Sequence, residues 1–256
     1  MKKLKEKTPV TQINQVRRNQ VKATLTLTIL VLIFWFVVAG CSDGGSTLEQ
    51  EVKTYPETFS FMDVGINTSY SRPLRQQLGN LLGGDAIQNN NTIELEINRE
   101  NFLQDYFPAF YSINQALNTP PRERVEHKSI KLMYRYAQKK GLAFDYVEFL
   151  FSEYTLSPLL IRVYFKFDNL GIDQTLTEKY GKPVSLDWDK DQPHSTSLVW
   201  EKNGDLMILS TIPDQLGRPN YQINIYFKDR LEDFIKTEFD LKQREEEQKP
   251  VEKKVF

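Results

Sequence analysis

The stretch FDYVEFLFSEYTLSPLLIRVYFKF, residues 144–167, decides the fold that this sequence predicts. Two apolar runs rich in aromatic and β-branched residues flank the short segment TLSP, residues 155–158. In the second run Ile161 and Val163 alternate with Arg162, which is the period of a β-strand with one buried face. Strands joined by so short a turn pair antiparallel. The stretch therefore predicts a β-hairpin.

Three more strands are predicted further along the chain, in TSLVWEK, DLMILSTI and YQINIYFK. The first two are separated by Lys202-Asn203-Gly204-Asp205, a strong signal for a tight turn. Because sequential strands joined by short turns cannot be parallel, the pattern predicts a mainly antiparallel sheet of about five strands over residues 144–228. The fold class expected is α+β, with helices backing the sheet.

Helical spacing of apolar residues predicts a helical N-terminal region and a C-terminal helix. In the first helix Ser71 is the cap and Pro73 lies in the first turn. In the next helical stretch Pro108 either kinks the helix or starts a new one. Two further helices are predicted over residues 128–141 and 169–181, and the C-terminal helix is predicted to begin at Asp229. Between the first two helices we expect a loop at residues 89–91 and a short strand at residues 92–97.

The chain divides into four parts, and no internal repeat is evident. They are a signal peptide or membrane anchor (1–40), a flexible tether (41–60), a single α+β domain (61–241) and a charged tail (242–256). Within the domain we expect a helix-rich part, residues 71–141, and a sheet-rich part, residues 144–241. After position 40 the chain has 26 basic and 33 acidic residues, a net charge of −7. A body of this sign has no electrostatic footprint for nucleic acid.

The N-terminal segment is a basic stretch followed by eighteen uncharged residues, Ala23–Gly40. Its apolar run is close to the ~20 residues that span a bilayer, and close to the upper length of a signal-peptide core. The basic flank marks the side that stays in the cytoplasm. The body is therefore expected outside the cytoplasmic membrane.

The run ends in Val38-Ala39-Gly40-Cys41, which contains the single cysteine of the chain. This tetrapeptide resembles the lipobox of bacterial lipoproteins. The resemblance implies diacylglycerol on the Cys41 sulfur, cleavage after Gly40, and acylation of the new amino terminus by a fatty acid such as palmitate. Several acyl chains would hold the protein firmly, since one chain binds only marginally. The expected location is the cell membrane or outer membrane, with the body in the periplasm or at the cell exterior.

Other interpretations of this segment stay open. The apolar run could be an uncleaved transmembrane anchor with an incidental cysteine. The true start could lie downstream, near Val16, because the basic flank is long for a signal peptide. Arg17-Arg18 also has some likeness to a twin-arginine export signal.

The body carries a second resemblance. Lys179–Pro183, KYGKP, ends a predicted helix tightly and is followed by strands with Trp, Leu and Tyr. This progression is similar to small envelope-assembly lipoprotein domains. It implies a non-catalytic accessory role with an envelope protein as partner.

Metal-ligating residues are few. The two histidines, His127 and His194, are far apart in sequence and belong to no ligand pair, so no zinc site is expected. Asp187, Asp189 and Asp191 alternate as the start of a calcium loop does. The loop would also need glycine and glutamate where this chain has Gln192 and Leu198. We predict no metal and no cofactor.

The sequence therefore favours a lipid-anchored binding or assembly module and gives little reason to expect an enzyme. No Gly-x-Ser-x-Gly or Walker-type motif occurs. Tyr164, Tyr226 and Trp188 are the residues expected on a partner surface. The rivals are an envelope hydrolase using carboxylates or His194, and a small-ligand carrier with an apolar cavity.

Overall fold

The computed structural model describes residues 54–135, 144–165, 171–189, 195–214, 216 and 218–248. Its strands are β1 (Ser60–Phe61), β2 (Val64–Gly65), β3 (Ala86–Asn91), β4 (His127–Arg135), β5 (Phe144–Ser152), β6 (Pro158–Phe165), β7 (Val184–Asp187), β8 (Thr196–Lys202), β9 (Asp205–Pro213) and β10 (Pro219–Tyr226). Its helices are α1 (Arg72–Leu82), α2 (Phe102–Tyr106), α3 (Pro108–Leu117), α4 (Ile172–Tyr180) and α5 (Lys228–Gln248).

Among the described residues, eight strands form one antiparallel sheet in the order β3-β4-β5-β6-β10-β9-β8-β7. Strands β3 to β6 make one four-stranded meander and β7 to β10 another, and the two meet where β6 pairs antiparallel with β10. The predicted α+β class with a large antiparallel sheet is confirmed. The strand count is higher than predicted, because β3, β4 and β7 join the five expected strands.

The two halves of the sheet have similar topologies, a helix followed by four antiparallel strands, with α2 and α3 inserted between β3 and β4 of the first half. Helix α1 precedes the first meander and α4 the second. Leu82 and Tyr180, the last residues of these helices, are buried in the same cluster. The glycines that follow them, Gly83 and Gly181, have φ of 103° and 94°, a conformation that favours glycine. The repeat is therefore one of backbone geometry, which the sequence pattern does not reveal.

Apolar side chains are packed on both faces of the sheet. On the first face, α1, α4 and the β1–β2 hairpin contribute Leu78, Tyr180 and Phe59 to a cluster with Phe149 and Ile161. On the second face, α2, α3, α5 and the segment 93–97 cover a second cluster, whose members include Phe102, Phe110, Leu160, Ile208, Tyr226 and Phe234. This second cluster lies towards one end of the central strands.

The prediction of a helix over residues 128–141 is wrong. The described part of this segment belongs to β4, which pairs with both β3 and β5. Ile130, Leu132 and Tyr134 alternate onto the first face and pack in its cluster. The alternating Lys131 and Met133 point to the second face, so the strand period is present. Good helix formers in the segment were overridden by pairing on both sides.

The assignments for residues 86–97 also change. Asn89–Asn91, predicted as a loop, end β3, and the segment 92–97, predicted as a strand, is not in a strand. Its alternating Ile93, Leu95 and Ile97 are nevertheless buried on the second face. The alternation correctly marks one-sided burial, but the segment crosses the sheet instead of pairing within it.

The predicted ends of α1 and the division at Pro108 are confirmed. Ser71 Oγ accepts a hydrogen bond from Leu74 N at 3.3 Å, and Pro73 lies in the first turn. Pro108 starts a separate helix, α3. These features are local, so the sequence alone specifies them.

The start of the C-terminal helix depends on a distant residue. Helix α5 begins at Lys228, one residue before the predicted start at Asp229. Asp205 Oδ1, at the start of β9, accepts a hydrogen bond from Lys228 N at 2.9 Å. The N-terminal cap is therefore supplied by a neighbouring strand. Leu231 and Phe234 dock the helix as predicted.

Candidate functional site

The second face of the sheet carries an open groove at the ends of the central strands that lie farther from α5. It encloses about 870 Å³. Two tyrosines, two amide side chains and one buried carboxylate of this face line much of it: Tyr146, Tyr164, Asn220, Gln222 and Glu148. Tyr221, which packs with the first-face cluster, also contributes to the lining. The groove combines aromatic surface with hydrogen-bonding groups, which is typical of ligand sites.

Strand register brings these side chains together. Tyr146 on β5 stands opposite Tyr164 on β6, and Tyr164 stands opposite Gln222 on β10. Gln222 is in turn opposite Ser210 on β9, and Ser210 is opposite Ser197 on β8. Because side chains alternate along a strand, all five share the second face. They form one polar row across five strands.

Glu148 occupies the next row and is only 4% exposed. Its carboxylate lies 3.3 Å from Arg162 Nη1 and 3.7 Å from Lys131 Nζ, and it accepts a hydrogen bond from the Tyr146 hydroxyl at 2.5 Å. A buried carboxylate needs such partners to stay charged. Two cations and a phenol therefore bind this carboxylate. It connects side chains of three strands, and we call it the anchor of the groove floor.

The two central tyrosines form a fixed aromatic floor. The ring centroids of Tyr146 and Tyr164 are 5.5 Å apart at 60°, and the Arg135 guanidinium lies 5.9 Å from the Tyr146 centroid. Burial, followed by the negative charge of Glu148, raises the pKa of Tyr146 well above its ordinary value. Burial also raises the pKa of Tyr164. Both hydroxyls therefore stay protonated at neutral pH, and Tyr164 remains 37% exposed to the groove.

Beside the tyrosines, hydrogen bonds hold the amide and hydroxyl side chains in place. Gln222 Nε2 donates to Asn224 Oδ1 at 2.8 Å, and Asn98 Nδ2 donates to Ser197 Oγ at 3.1 Å. The hydroxyls of Ser197 and Ser210 are 2.9 Å apart. Asn224 Nδ2 is buried and has no hydrogen-bond partner within the described part of the chain. Apart from this amide nitrogen, hydrogen bonds hold the side chains of the polar rows in place.

The segment 93–98 forms the boundary between the groove and the apolar cluster. The Arg162 guanidinium donates to the carbonyl of Glu94, and the Tyr226 hydroxyl donates to the carbonyl of Leu95 at 2.9 Å. From the helical side, Asn114 Oδ1 accepts from Leu95 N at 2.8 Å. These bonds fix an extended segment across the strands, so the groove has a defined wall.

Of the three residues expected on a partner surface, the structure places one in the groove. Tyr164 lines it, whereas Tyr226 is fully buried and Trp188 is 7% exposed. Tyr226 lies on the same sheet face as Tyr164, but two rows further, where segment 93–98 and α3 cover it. Trp188 packs edge-on against Phe102 at 6.4 Å. Neither buried residue can form the predicted surface in this fold.

Several other predicted site residues lie outside the described residues. They are Gly40 and Cys41, the apolar run before them, and both Asp191 and His194. In the part of the chain that the structure describes, three or more metal-ligating side chains come together nowhere, and no helix is long and apolar enough to cross a membrane.

Sequence reasoning missed Tyr146, Glu148 and Gln222, although a signal for them exists. Tyr146 and Glu148 alternate with Val147 and Phe149, as Gln222 and Asn224 alternate with apolar residues in YQINIYFK. Polar side chains on one face of three strands therefore indicate a surface that the apolar cluster does not cover. What the pattern lacks is the order in which those strands pair.

Comparisons of this chain with protein-family models, with curated proteins and with solved structures find no match. The function proposed below is therefore argued from the residues and geometry of the groove.

Proposed function

We propose that this protein is a membrane-anchored lipoprotein of the bacterial cell envelope whose body is a non-catalytic binding module. In this proposal, Cys41 carries the lipid and the groove on the second face of the sheet holds the ligand or partner. The Val38–Cys41 tetrapeptide behind a basic and apolar leader supports the anchor. The rigid groove supports the binding role.

The observation that carries the proposal is the preorganised floor of the groove. Tyr146 is held by its hydroxyl, and Gln222 by its amide. Side chains that are already ordered lose little conformational freedom when a ligand binds, which favours affinity. A surface without a binding role would have little need to bury Glu148 and two amides next to open solvent.

The two rival functions receive less support. A hydrolase needs an available acid, base or nucleophile, whereas Glu148 is bound by two cations and a phenol. His194, the other residue named for this role, lies outside the described residues. A carrier needs an apolar cavity between helices and sheet. The described helices instead pack their apolar side chains into two filled clusters.

The position of the first described residues also agrees with a binding role. At the tip of the β8–β9 turn, the Lys202 ammonium contacts the carbonyl of Pro56, and Asn203 Nδ2 donates to Glu57 O at 3.1 Å. The groove lies at the other ends of the strands, about 30 Å away for a nine-residue strand such as β9. Pro56 and Glu57 therefore lie at the end of the sheet opposite to the groove.

In-cell photo-cross-linking tests the binding role. A benzophenone amino acid is placed at position 164 in the full chain, and at position 239 as the control. Phe239 is 66% exposed on α5 and lies outside the groove. We expect a discrete adduct from position 164 and none from position 239. Equal adducts from both positions, or none from position 164, would overturn the proposal.

Mass spectrometry of the natively purified amino terminus tests the anchor. We expect an acylated peptide that begins at Cys41, and loss of acylation in Cys41→Ser. An intact leader that still begins with the basic segment would instead support the uncleaved transmembrane anchor.

A further inference from the structure

The groove floor is built from strands in the middle of the sheet. Strands β5, β6 and β10 each pair with a neighbour on both sides, so their backbone N–H and C=O groups are used in the ladders. An extended peptide that binds by strand addition needs a free edge, and the edges of this sheet are β3 and β7. A ligand in the groove must therefore be recognised by side chains.

The charges in and behind the groove largely neutralise one another. Arg162 and Lys131 face the buried carboxylate of Glu148. At the rim, the cationic Arg135 and the anionic Asp145 both line the groove. These three cations and two anions leave a net charge of only +1, so no strong field of one sign selects a charged ligand. Recognition therefore depends mainly on the uncharged side chains of the groove.

The side chains that remain available are aromatic faces and amides. The Tyr164 side chain lines the groove and is 37% exposed. The exposed Asn220 also lines the groove and can both donate and accept. Gln222 is only 7% exposed and already donates one hydrogen bond to Asn224 Oδ1, which leaves its Oε1 as an acceptor. A sugar ring presents an apolar C–H face and equatorial hydroxyls that both donate and accept. It therefore complements a tyrosine face flanked by amides.

We propose that the groove binds a neutral saccharide chain, with Tyr164 packing against a sugar ring and with Gln222 and Asn220 hydrogen-bonded to its hydroxyls. This inference rests on the proposed binding function and names its ligand class. A groove that is open to solvent and encloses about 870 Å³ has room for more than one sugar ring. A stiff polymer also matches the preorganised floor, because neither side loses much freedom on binding.

Isothermal titration of the full chain in detergent tests the inference, with N-acetylated chitotetraose and cellotetraose as probes. We expect saturable binding of at least one tetrasaccharide. Tyr164→Ala should lower its affinity at least ten-fold, and Phe239→Ala should leave it unchanged. Both replaced side chains are exposed, and circular dichroism checks that each variant is folded. Absence of binding by both probes, or equal affinity in Tyr164→Ala, overturns the saccharide inference.

A second measurement separates this inference from the proposed function. The adduct formed by the photo-cross-linker at position 164 is identified by mass spectrometry. A saccharide adduct supports both claims. A polypeptide adduct without tetrasaccharide binding overturns the saccharide and leaves the binding module standing. The lack of any adduct at position 164, together with no binding, overturns both.

Discussion

His127 on β4 and Glu238 on α5 form a buried pair, with Nδ1 of the imidazole 2.6 Å from Oε2 of the carboxylate. The other ring nitrogen, Nε2, lies 2.8 Å from the carbonyl of Leu117 at the end of α3. The imidazole ring is thus held between a carboxylate and a carbonyl oxygen. Lys128 N also donates to Glu238 Oε1 at 3.1 Å. The pair thus connects two helices to the sheet.

Glu238→Gln should destabilise the fold by about 3 kcal/mol, because it removes the buried carboxylate that bonds both the His127 ring and Lys128 N. Urea unfolding of the full chain measures the change. The control is Glu232→Gln, which removes an exposed carboxylate 3.2 Å from Lys228 and should cost less than about 0.5 kcal/mol. Equal costs for the two variants would show that the buried pair contributes nothing special.

The same pair predicts a loss of stability in acid. Burial alone would raise the pKa of Glu238, but the hydrogen bond and charge of His127 outweigh burial and hold it below its ordinary value. A carboxyl with a lowered folded pKa contributes stability that is complete above the unfolded value of about 4.3. That stability is lost as pH falls through the folded pKa. The free energy of unfolding should therefore decline below about pH 4.3, and less steeply in Glu238→Gln.

Asp205 predicts a pH dependence of the opposite sign. Burial raises its pKa to about 6, although its hydrogen bond from Lys228 N acts the other way. An acid with a raised folded pKa disfavours folding once it ionises, so stability should fall as pH rises from about 4 to 6. Asp205→Asn keeps an oxygen to cap α5 and should remove this decline. Asp205→Ala should remove it as well, and should lose about 1 kcal/mol of capping. An unchanged pH profile in Asp205→Asn would contradict the assignment.

A double-mutant cycle tests the anchor of the groove floor. Glu148→Leu leaves Arg162 and Lys131 close together without their carboxylate, and we expect a loss of about 3–5 kcal/mol. The double variant Glu148→Leu/Arg162→Leu should be more stable than the sum of the single changes predicts, by at least about 1 kcal/mol. Additive losses would mean that the two residues do not form the coupled pair described.

Two glycines should respond in opposite directions to alanine. A Cβ at Gly79, within α1, would meet no atom within 4 Å, so Gly79→Ala should stabilise the protein by about 0.5–1 kcal/mol through helix propensity. Gly181 has φ of 94°, and a Cβ there would lie 3.3 Å from the Tyr55 ring. Gly181→Ala should therefore cost about 1–2 kcal/mol. Thermal unfolding of both variants checks the signs, and stabilisation by Gly181→Ala would be the contrary result.

Prediction from sequence succeeded where a signal is local. The cap at Ser71, the new helix at Pro108 and the tight turn at Asn203-Gly204 follow from side-chain chemistry within a few residues, and all three are present. Prediction failed for β4, because its composition favours a helix and only pairing with β3 and β5 makes it a strand.

For the groove, sequence reasoning identified Tyr164 but placed Tyr226 on the same surface. Both side chains lie on the second face of the sheet, as alternation requires. Tyr226 is buried because segment 93–98 crosses above it, held by the Leu95 carbonyl. The partners of Glu148 could not be predicted either, since they come from three strands whose order the sequence does not state.

The amino-acid sequence by itself determined which residues share a face, where most helices and turns begin and end, and that the protein is α+β with an antiparallel sheet. These properties depend on interactions between residues close together in the chain. Only the tertiary structure decided that two meanders join at β6 and β10, and which part of the shared face stays open as a groove. The physical reason is that strand order and coverage depend on contacts between distant segments, and the period of a strand does not specify its neighbours.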